Sequence, residues 1–115
     1  MNSIKYILVL VALIIASFGY SQSTTKTIKF RVDGVCEMCK KRIENALDTK
    51  GVKYANWDIK TKIIEVVYKT DKITETQIHQ RIANVGHDTD KIKATKESYS
   101  KIHGCCKYRE NTETH

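Results

Sequence analysis

Two cysteines separated by two residues, Cys36 and Cys39, are the side chains of this sequence best suited to chemistry. They lie where a short loop becomes a predicted helix. The N-terminus of a helix carries partial positive charge and unpaired N–H groups, and both favour thiolate over thiol. Lys40 and Arg42 add positive charge close by. Two thiolates at this spacing can converge on one soft metal ion, such as Cu(I), Zn(II) or Hg(II).

The number of ligands in this loop narrows the choice of ion. Two thiolates suit an ion of low coordination number, so Cu(I) is the expected ion, with Hg(II) and Zn(II) as alternatives. A closed structural zinc site takes four ligands and would need more than Cys36 and Cys39. The same pair could instead form a disulfide or carry out thiol–disulfide exchange. Thioredoxin-type proteins place a proline facing their disulfide, and this chain has no proline, which favours metal binding.

A second group of soft donors, His103, Cys105 and Cys106, lies near the C-terminus. Imidazole and thiolate both suit Cu(I) or Zn(II). If residues 95–103 form a helix, it rises about 13 Å and could return Cys105 and Cys106 towards the first pair. Three interpretations stay open: a four-thiolate site shared with the first pair, a separate His-Cys-Cys site, or a tail with a vicinal or intermolecular disulfide.

Three further side chains are weaker candidates. His87 follows a helix-ending glycine and could coordinate the metal, offset the charge of the thiolates, or be an exposed loop residue. Met38 could offer a thioether to Cu(I), although a role as a filler of the loop or core is the simpler interpretation. His79 is expected on the exposed side of the second helix, without a role.

Hydrophobic periodicity predicts the elements that position these residues. Alternating apolar residues predict strands at 26–32, 52–59, 63–68 and 91–94. Helical patterns span about 36–47 and 74–86. The second begins with Thr74 and Gln77 at the spacing of a capping box.

The order βαββαβ predicts an α+β, ferredoxin-like fold with a four-stranded antiparallel sheet and two helices on one face. In this topology the loop of Cys36, the turn at 60–62 and the loop of His87 share one end of the domain.

The N-terminal segment has the features of an export signal. Lys5 precedes an unbroken apolar run at 7–16, and the small residues Gly19 and Ser21 have the spacing of a cleavage site. The run is short for a membrane span, which needs roughly 20 apolar residues, so an uncleaved anchor is the less favoured alternative. After cleavage we expect no stable insertion in the membrane.

The chain is therefore divided into residues 1–21 as a signal peptide, 22–94 as the domain and 95–115 as a C-terminal tail. The expected location is the periplasm, after secretion across the inner membrane.

Length and charge exclude other classes of function. The 115 residues form one small domain with a formal net charge of +7, and the positive charge could indicate nucleic acid. The basic residues are scattered, and the strands lack the paired exposed aromatics that RNA-binding domains stack on bases. We therefore predict no nucleic-acid partner. No pair of inward-facing carboxylates suggests acid–base catalysis, so we do not predict an enzyme.

Several segments together resemble the heavy-metal-associated domain family, over roughly residues 25–94. They are Gly34–Cys39, Ile43–Leu47, Gly51-Val52, Val66–Tyr68 and Gly86–Asp88. That family includes copper chaperones, metal-binding modules of copper-pumping ATPases and the periplasmic mercury-binding protein. The resemblance implies the same ferredoxin-like fold, metal capture by Cys36 and Cys39, and handover to a membrane metal transporter. Val35 directly precedes Cys36 and is expected to pack under the loop in place of a family methionine.

These observations predict an exported heavy-metal-binding protein that captures Cu(I), or another soft ion, and passes it to a transporter or another metal-accepting protein. The alternative is a thiol–disulfide oxidoreductase that uses the same cysteines. Oxidising surroundings favour a disulfide between Cys36 and Cys39, which cannot hold metal. The pair must therefore be protected by a bound ion or kept reduced by a partner.

Overall fold

A computed structural model of the chain describes residues 24–110 and Thr114. The predicted signal peptide, residues 1–21, lies outside the described residues. None of the helices in the described part has the length and apolar character that a membrane span needs. The elements, in chain order, are β1 (Thr25–Arg31), α1 (Glu37–Ala46), β2 (Val52–Trp57), β3 (Ile63–Lys69), α2 (Glu75–Asn84), α3 (Lys96–Ser100) and a 3₁₀ turn (Gly104–Cys106).

The three strands form one antiparallel sheet in the order β1-β3-β2. Successive side chains of a strand point to opposite faces, so only alternate residues are buried. Phe30 of β1 and Trp57 of β2 both lie opposite Ile64 of β3, and all three are buried. This face of the sheet joins the buried sides of α1 and α2 in one hydrophobic core. The α+β class and three of the predicted strands are therefore confirmed.

The fourth strand predicted at 91–94 is absent from the elements of the described residues. Instead, Thr89 forms an isolated antiparallel bridge with Val32, just beyond the end of β1. The Thr89 hydroxyl accepts hydrogen bonds from the N–H groups of Lys91 at 3.2 Å and Ile92 at 2.9 Å. These bonds curl the segment into a turn, so its backbone cannot extend along β1.

Helix α2 begins and ends as the sequence predicts. The Thr74 side chain accepts from the Gln77 N–H at 3.1 Å, and the Gln77 side chain accepts from the Thr74 N–H at 2.9 Å, completing the capping box. After the helix, Gly86 has a φ of +101°, a left-handed conformation that favours glycine. This turn delivers His87 to the end of the domain that carries the cysteines.

The expectation that His79 is exposed was wrong, because its side chain is fully buried. Its ring stacks on Phe30 with centroids 3.9 Å apart, and its Nδ1 lies 2.6 Å from the Thr89 hydroxyl. Burial lowers its pKa below the usual value. The curled segment that replaces the fourth strand covers this side of α2, which helical periodicity alone could not show.

Residues 95–110, named the C-terminal strap from here on, return across the domain. Helix α3 covers only Lys96–Ser100 rather than 95–103, and the Thr95 hydroxyl caps it by accepting from the Ser98 N–H at 3.0 Å. A Cβ on Gly86 would lie 2.6 Å from Ile102 Cγ2 and 2.9 Å from the Ser98 carbonyl oxygen. The strap therefore packs directly on the loop that follows α2.

Candidate metal centre

The loop before α1 is held close against the core. A Cβ on Gly34 would lie 3.0 Å from the Trp57 ring and 3.1 Å from Cys39 Cβ, so this close approach favours glycine. Val35 is buried beneath the loop, as expected. Cys36 is the N-cap residue of α1 and has an extended backbone. Its sulfur faces the N–H groups of Met38 and Cys39 at the start of the helix, and these groups favour the thiolate.

Cys36 and Cys39 bring their sulfurs together at the start of α1. The two Sγ atoms are 3.3 Å apart, and both side chains are buried. Cys36 lies before the first helical residue and Cys39 lies within the first turn, so both sulfurs are near the positive end of the helix. This part of the structure is the arrangement that a two-thiolate metal site requires.

The strap adds a third sulfur to this group. Cys106 Sγ lies 2.8 Å from Cys36 Sγ, and Cys106 is fully buried. The three ligand atoms of Cys36, Cys39 and Cys106 all lie within 4.8 Å of one another. All three cysteines are free thiols rather than disulfides. One of the two tail cysteines therefore reaches the first pair.

The three thiols differ in acidity. Burial alone would raise the pKa of Cys36, but hydrogen bonds from Cys106 and Cys39, and from the N–H groups of Cys39 and Met38, lower its pKa to about 7. Burial raises the pKa of Cys39. Burial and the contacts with Cys36 and Cys39 raise the pKa of Cys106 to about 12. Of the three thiols, Cys36 is therefore the one that loses its proton most readily.

Two cationic side chains lie within reach of the sulfurs. Arg42 lies near Cys106 and acts to lower the pKa of that thiol. Burial and the charge of Arg31 lower the pKa of Lys62, whereas Cys39 and Cys36 act in the opposite direction. Positive charge from α1 and from the turn between β2 and β3 can therefore offset negative charge on the thiolates.

His87 lies at the predicted end of the domain but outside the three-sulfur group. Its Nδ1 lies 2.8 Å from the Asp33 carbonyl oxygen, so Nδ1–H donates there. Nε2 then has a free lone pair and lies 3.4 Å from Arg42 Nη1, which donates to it. Burial lowers the pKa of His87 to about 4. The geometry supports a neutral imidazole that orients Arg42, rather than one that faces the sulfurs.

The remaining predicted donors lie outside the group. Cys105 is exposed, with its Sγ 3.9 Å from Cys106 Sγ and 3.5 Å from the sulfur of Met38. His103 is also exposed, and it contributes through its backbone, because its carbonyl accepts from the Cys106 N–H at 2.8 Å. Within the described residues, neither a four-thiolate site nor a separate site of His103, Cys105 and Cys106 is formed.

Sequence reasoning missed two residues that fix the strap beside the sulfurs. The Tyr108 hydroxyl donates to the Gly86 carbonyl at 2.7 Å and accepts from the Asp88 N–H at 2.9 Å. Arg109 donates to both oxygens of Asp88, at 2.7 and 3.2 Å. Isolated residues in a polar tail produce no periodic pattern, so the sequence held no signal for these contacts.

This chain matches a known protein family and resembles solved structures. The family description that matches the chain is the heavy-metal-associated domain, over residues 29–88. The structure resembles the CopZ metallochaperone, with 27% identity, a TM-score of 0.54, and coverage of 56% of this chain and 98% of that one. It also resembles the N-terminal soluble domains of Bacillus subtilis CopA, with 30% identity, a TM-score of 0.54, and coverage of 58% and 47%.

A third solved structure, oxidized MerP from Ralstonia metallidurans CH34, shares the fold with 20% identity and a TM-score of 0.55, over 58% of this chain and 96% of that one. No curated protein matches the chain.

Proposed function

This chain belongs to the heavy-metal-associated domain family, and we propose that it captures a soft metal ion through Cys36 and Cys39 and passes it to another protein. The observation that carries the proposal is the convergence of these two sulfurs, 3.3 Å apart, at the start of α1. With a pKa of about 7, Cys36 is substantially thiolate at neutral pH and can begin capture without a separate base.

We propose Cu(I) as the preferred ion. Thiolates are soft ligands that select Cu(I), and a site with few ligands suits an ion of low coordination number. The likeness to the CopZ metallochaperone supports the transfer of a bound metal ion. Hg(II) and Zn(II) are the other ions that these donors could take.

Transfer would proceed by exchange of ligands. An acceptor thiolate attacks the bound ion, a metal–sulfur bond to the chain breaks, and no electron is transferred. The proposed acceptor is a membrane metal transporter or another metal-accepting protein. In this function the chain is a binding protein and not an enzyme.

The proposed location is the periplasm, because Lys5, the apolar run at 7–16 and Ser21 have the pattern of a cleaved signal. Fractionation of cells, followed by N-terminal sequencing of the soluble product, tests this part. The expected mature chain begins at Gln22. Recovery of the chain only in the cytoplasm, still beginning at Met1, would contradict export.

The function is tested by anaerobic titration of the mature protein with Cu(I), beside an assay of insulin reduction. We expect tight binding that is lost in the variants Cys36→Ser and Cys39→Ser, and retained in Cys105→Ser, whose side chain lies outside the group. Catalytic reduction of insulin without retention of Cu(I) would instead support thiol–disulfide exchange and reject the proposal.

A further inference from the structure

Building on the metal-binding function proposed above, we infer that Cys106 is a third thiolate ligand, through which the strap converts the two-cysteine loop into a buried, three-coordinate site for a soft ion. The sulfurs of Cys106 and Cys36 lie 2.8 Å apart. All three sulfurs lie within 4.8 Å of one another. The chemical class of ligand is a soft ion that accepts three thiolates, with Cu(I) or Hg(II) as the probes.

The spacing of the sulfurs is close to what such an ion needs. An ion about 2.3 Å from each of three sulfurs in one plane, the length of a zinc–thiolate bond, holds the sulfurs about 4.0 Å apart. The Cys36–Cys39 distance is 3.3 Å and the Cys36–Cys106 distance is 2.8 Å. Outward shifts of about an ångström, within the reach of χ1 rotations, therefore admit the ion.

Cys106 is held in place by anchors on its C-terminal side. Tyr108 is buried, and its hydroxyl makes hydrogen bonds of 2.7 Å to the Gly86 carbonyl and 2.9 Å from the Asp88 N–H. Its ring also stacks on His87, with centroids 5.3 Å apart. These contacts fix the strap two residues beyond Cys106, so little conformational freedom is lost when the sulfur binds metal.

An ion pair anchors the strap in addition to Tyr108. Arg109 makes a two-pronged ion pair with Asp88, with distances of 2.7 and 3.2 Å, and also donates to the Ala94 carbonyl at 2.8 Å. Its guanidinium lies over the Tyr99 ring, 4.5 Å from the centroid. Two-pronged ion pairs of this kind stabilise the contact and also fix the relative orientation of the two side chains. The position of Cys106 is thus built into the fold of the strap and does not depend on the metal.

The electrostatics of the site suit three thiolates. Three thiolates leave a net negative charge around Cu(I) or Hg(II), which is costly to bury without compensation. Arg42, whose charge favours the thiolate of Cys106, and Lys62 supply opposite charge. As the metal–sulfur bonds form, the protons that remain on the three thiols leave to solvent, and no electron moves.

A third ligand also changes how the ion leaves. Cys36, Cys39 and Cys106 are each at most 5% exposed, so an acceptor thiolate cannot reach the ion while the strap is docked. The acceptor must displace Cys106 and lift the strap before it takes the ion. The strap therefore favours retention over rapid exchange, and release depends on the contacts of residues 107–110.

The experiment measures the number of sulfur neighbours of Cu(I) by X-ray absorption, and the affinity by competition with a chelator, on the mature protein. Wild type and Cys105→Ser are expected to show three sulfurs. Cys106→Ser and Cys106→Ala are expected to show two, with circular dichroism confirming that both variants fold. Loss of a residue that only hydrogen-bonds to a metal ligand lowers metal affinity about 10–100-fold, so loss of a direct ligand should lower the affinity at least about tenfold.

Three results would overturn the inference: two sulfurs in wild type, unchanged sulfur count and affinity in both Cys106 variants, or loss of the third sulfur in Cys105→Ser. Failure of the proposed function looks different. In that case wild type itself retains no Cu(I), or binds it equally well after Cys36→Ser and Cys39→Ser.

Discussion

The sulfur of Cys106 lies 2.8 Å from the sulfur of Cys36, although 70 residues separate the two cysteines in the chain. The contact joins the N-terminus of α1 to the strap, and so links the family's metal loop to a segment outside residues 29–88. Changes that loosen the strap should therefore act on the metal site, even when they lie far from the sulfurs.

Replacement of Gly86 by alanine should both destabilise the domain and release the strap. The φ of Gly86 is +101°, and a left-handed residue with a Cβ costs at least about 1 kcal/mol. The new Cβ would also lie 2.6 Å from Ile102 Cγ2. Denaturant unfolding measures the loss of stability, and the rate of thiol labelling measures exposure of Cys106.

The matched control is Gly104→Ala, where the added Cβ meets no atom within 4 Å. It should change the free energy of unfolding by no more than about 0.5 kcal/mol. Equal stability and equal labelling of the two variants would show that Gly86 does not support the strap.

The hydroxyl of Tyr108 should contribute to strap docking. Tyr108→Phe keeps the ring but leaves the Gly86 carbonyl and the Asp88 N–H without their partner, which costs about 1–3 kcal/mol for a buried group. We expect a lower free energy of unfolding and faster labelling of Cys106. Tyr54→Phe, at a side chain that is 50% exposed, should change neither quantity. Labelling of Tyr108→Phe at the wild-type rate would refute the anchoring role.

Stability should fall in mild acid because His87 is buried in its neutral form. Its pKa is about 4 in the folded chain, against a usual value of 6.5. Between these values the unfolded chain binds a proton that the folded chain does not. The contribution of the neutral His87 ring to stability is therefore complete above pH 6.5 and is lost as the pH falls towards 4. The full loss is about 3 kcal/mol.

Denaturant unfolding at a series of pH values measures this slope. In His87→Gln the slope between pH 6.5 and 4.5 should flatten, leaving a residual dependence to which His79 contributes, because burial lowers the pKa of that ring as well. An identical slope in wild type and His87→Gln would rule out the assignment.

The positive charge of Arg42 should support metal binding. Arg42→Met keeps much of the apolar stem but removes the positive charge near Cys106 and the hydrogen-bond partner of His87. Mutation of a residue that interacts with a metal ligand typically lowers metal affinity about 10–100-fold, so we expect Cu(I) affinity to fall by about tenfold. Lys41→Met, one residue earlier and exposed, removes the same charge and should leave the affinity close to that of wild type. A similar loss in both would indicate a general charge effect rather than a role for Arg42.

The parts of the fold that the sequence predicted are those with local signals. Alternating apolar residues mark β1 and β3, and the capping box at Thr74 marks the start of α2, because both patterns depend on neighbouring residues. The prediction of a fourth strand at 91–94 was wrong because the Thr89 side chain curls this segment into a turn. Periodicity records which residues are apolar, and it cannot record a hydroxyl that competes for backbone N–H groups.

The candidate site could be predicted only in part for a related reason. The spacing of Cys36 and Cys39 with a helix start indicates two thiolates, and this signal is local. The sequence left the partner of Cys106 open, because that contact depends on anchors at Tyr108 and Arg109. Those anchors bind loop residues that are distant in sequence, and such contacts produce no pattern in a single chain.

The central claim is most directly tested by native mass spectrometry of the mature protein, purified anaerobically with its metal. We expect one soft metal ion per chain, with reduced cysteines, and loss of the ion in the double variant Cys36→Ser, Cys39→Ser. A mature protein that carries no soft ion even under strong reductant, or a double variant that retains the ion to the same extent, would contradict it.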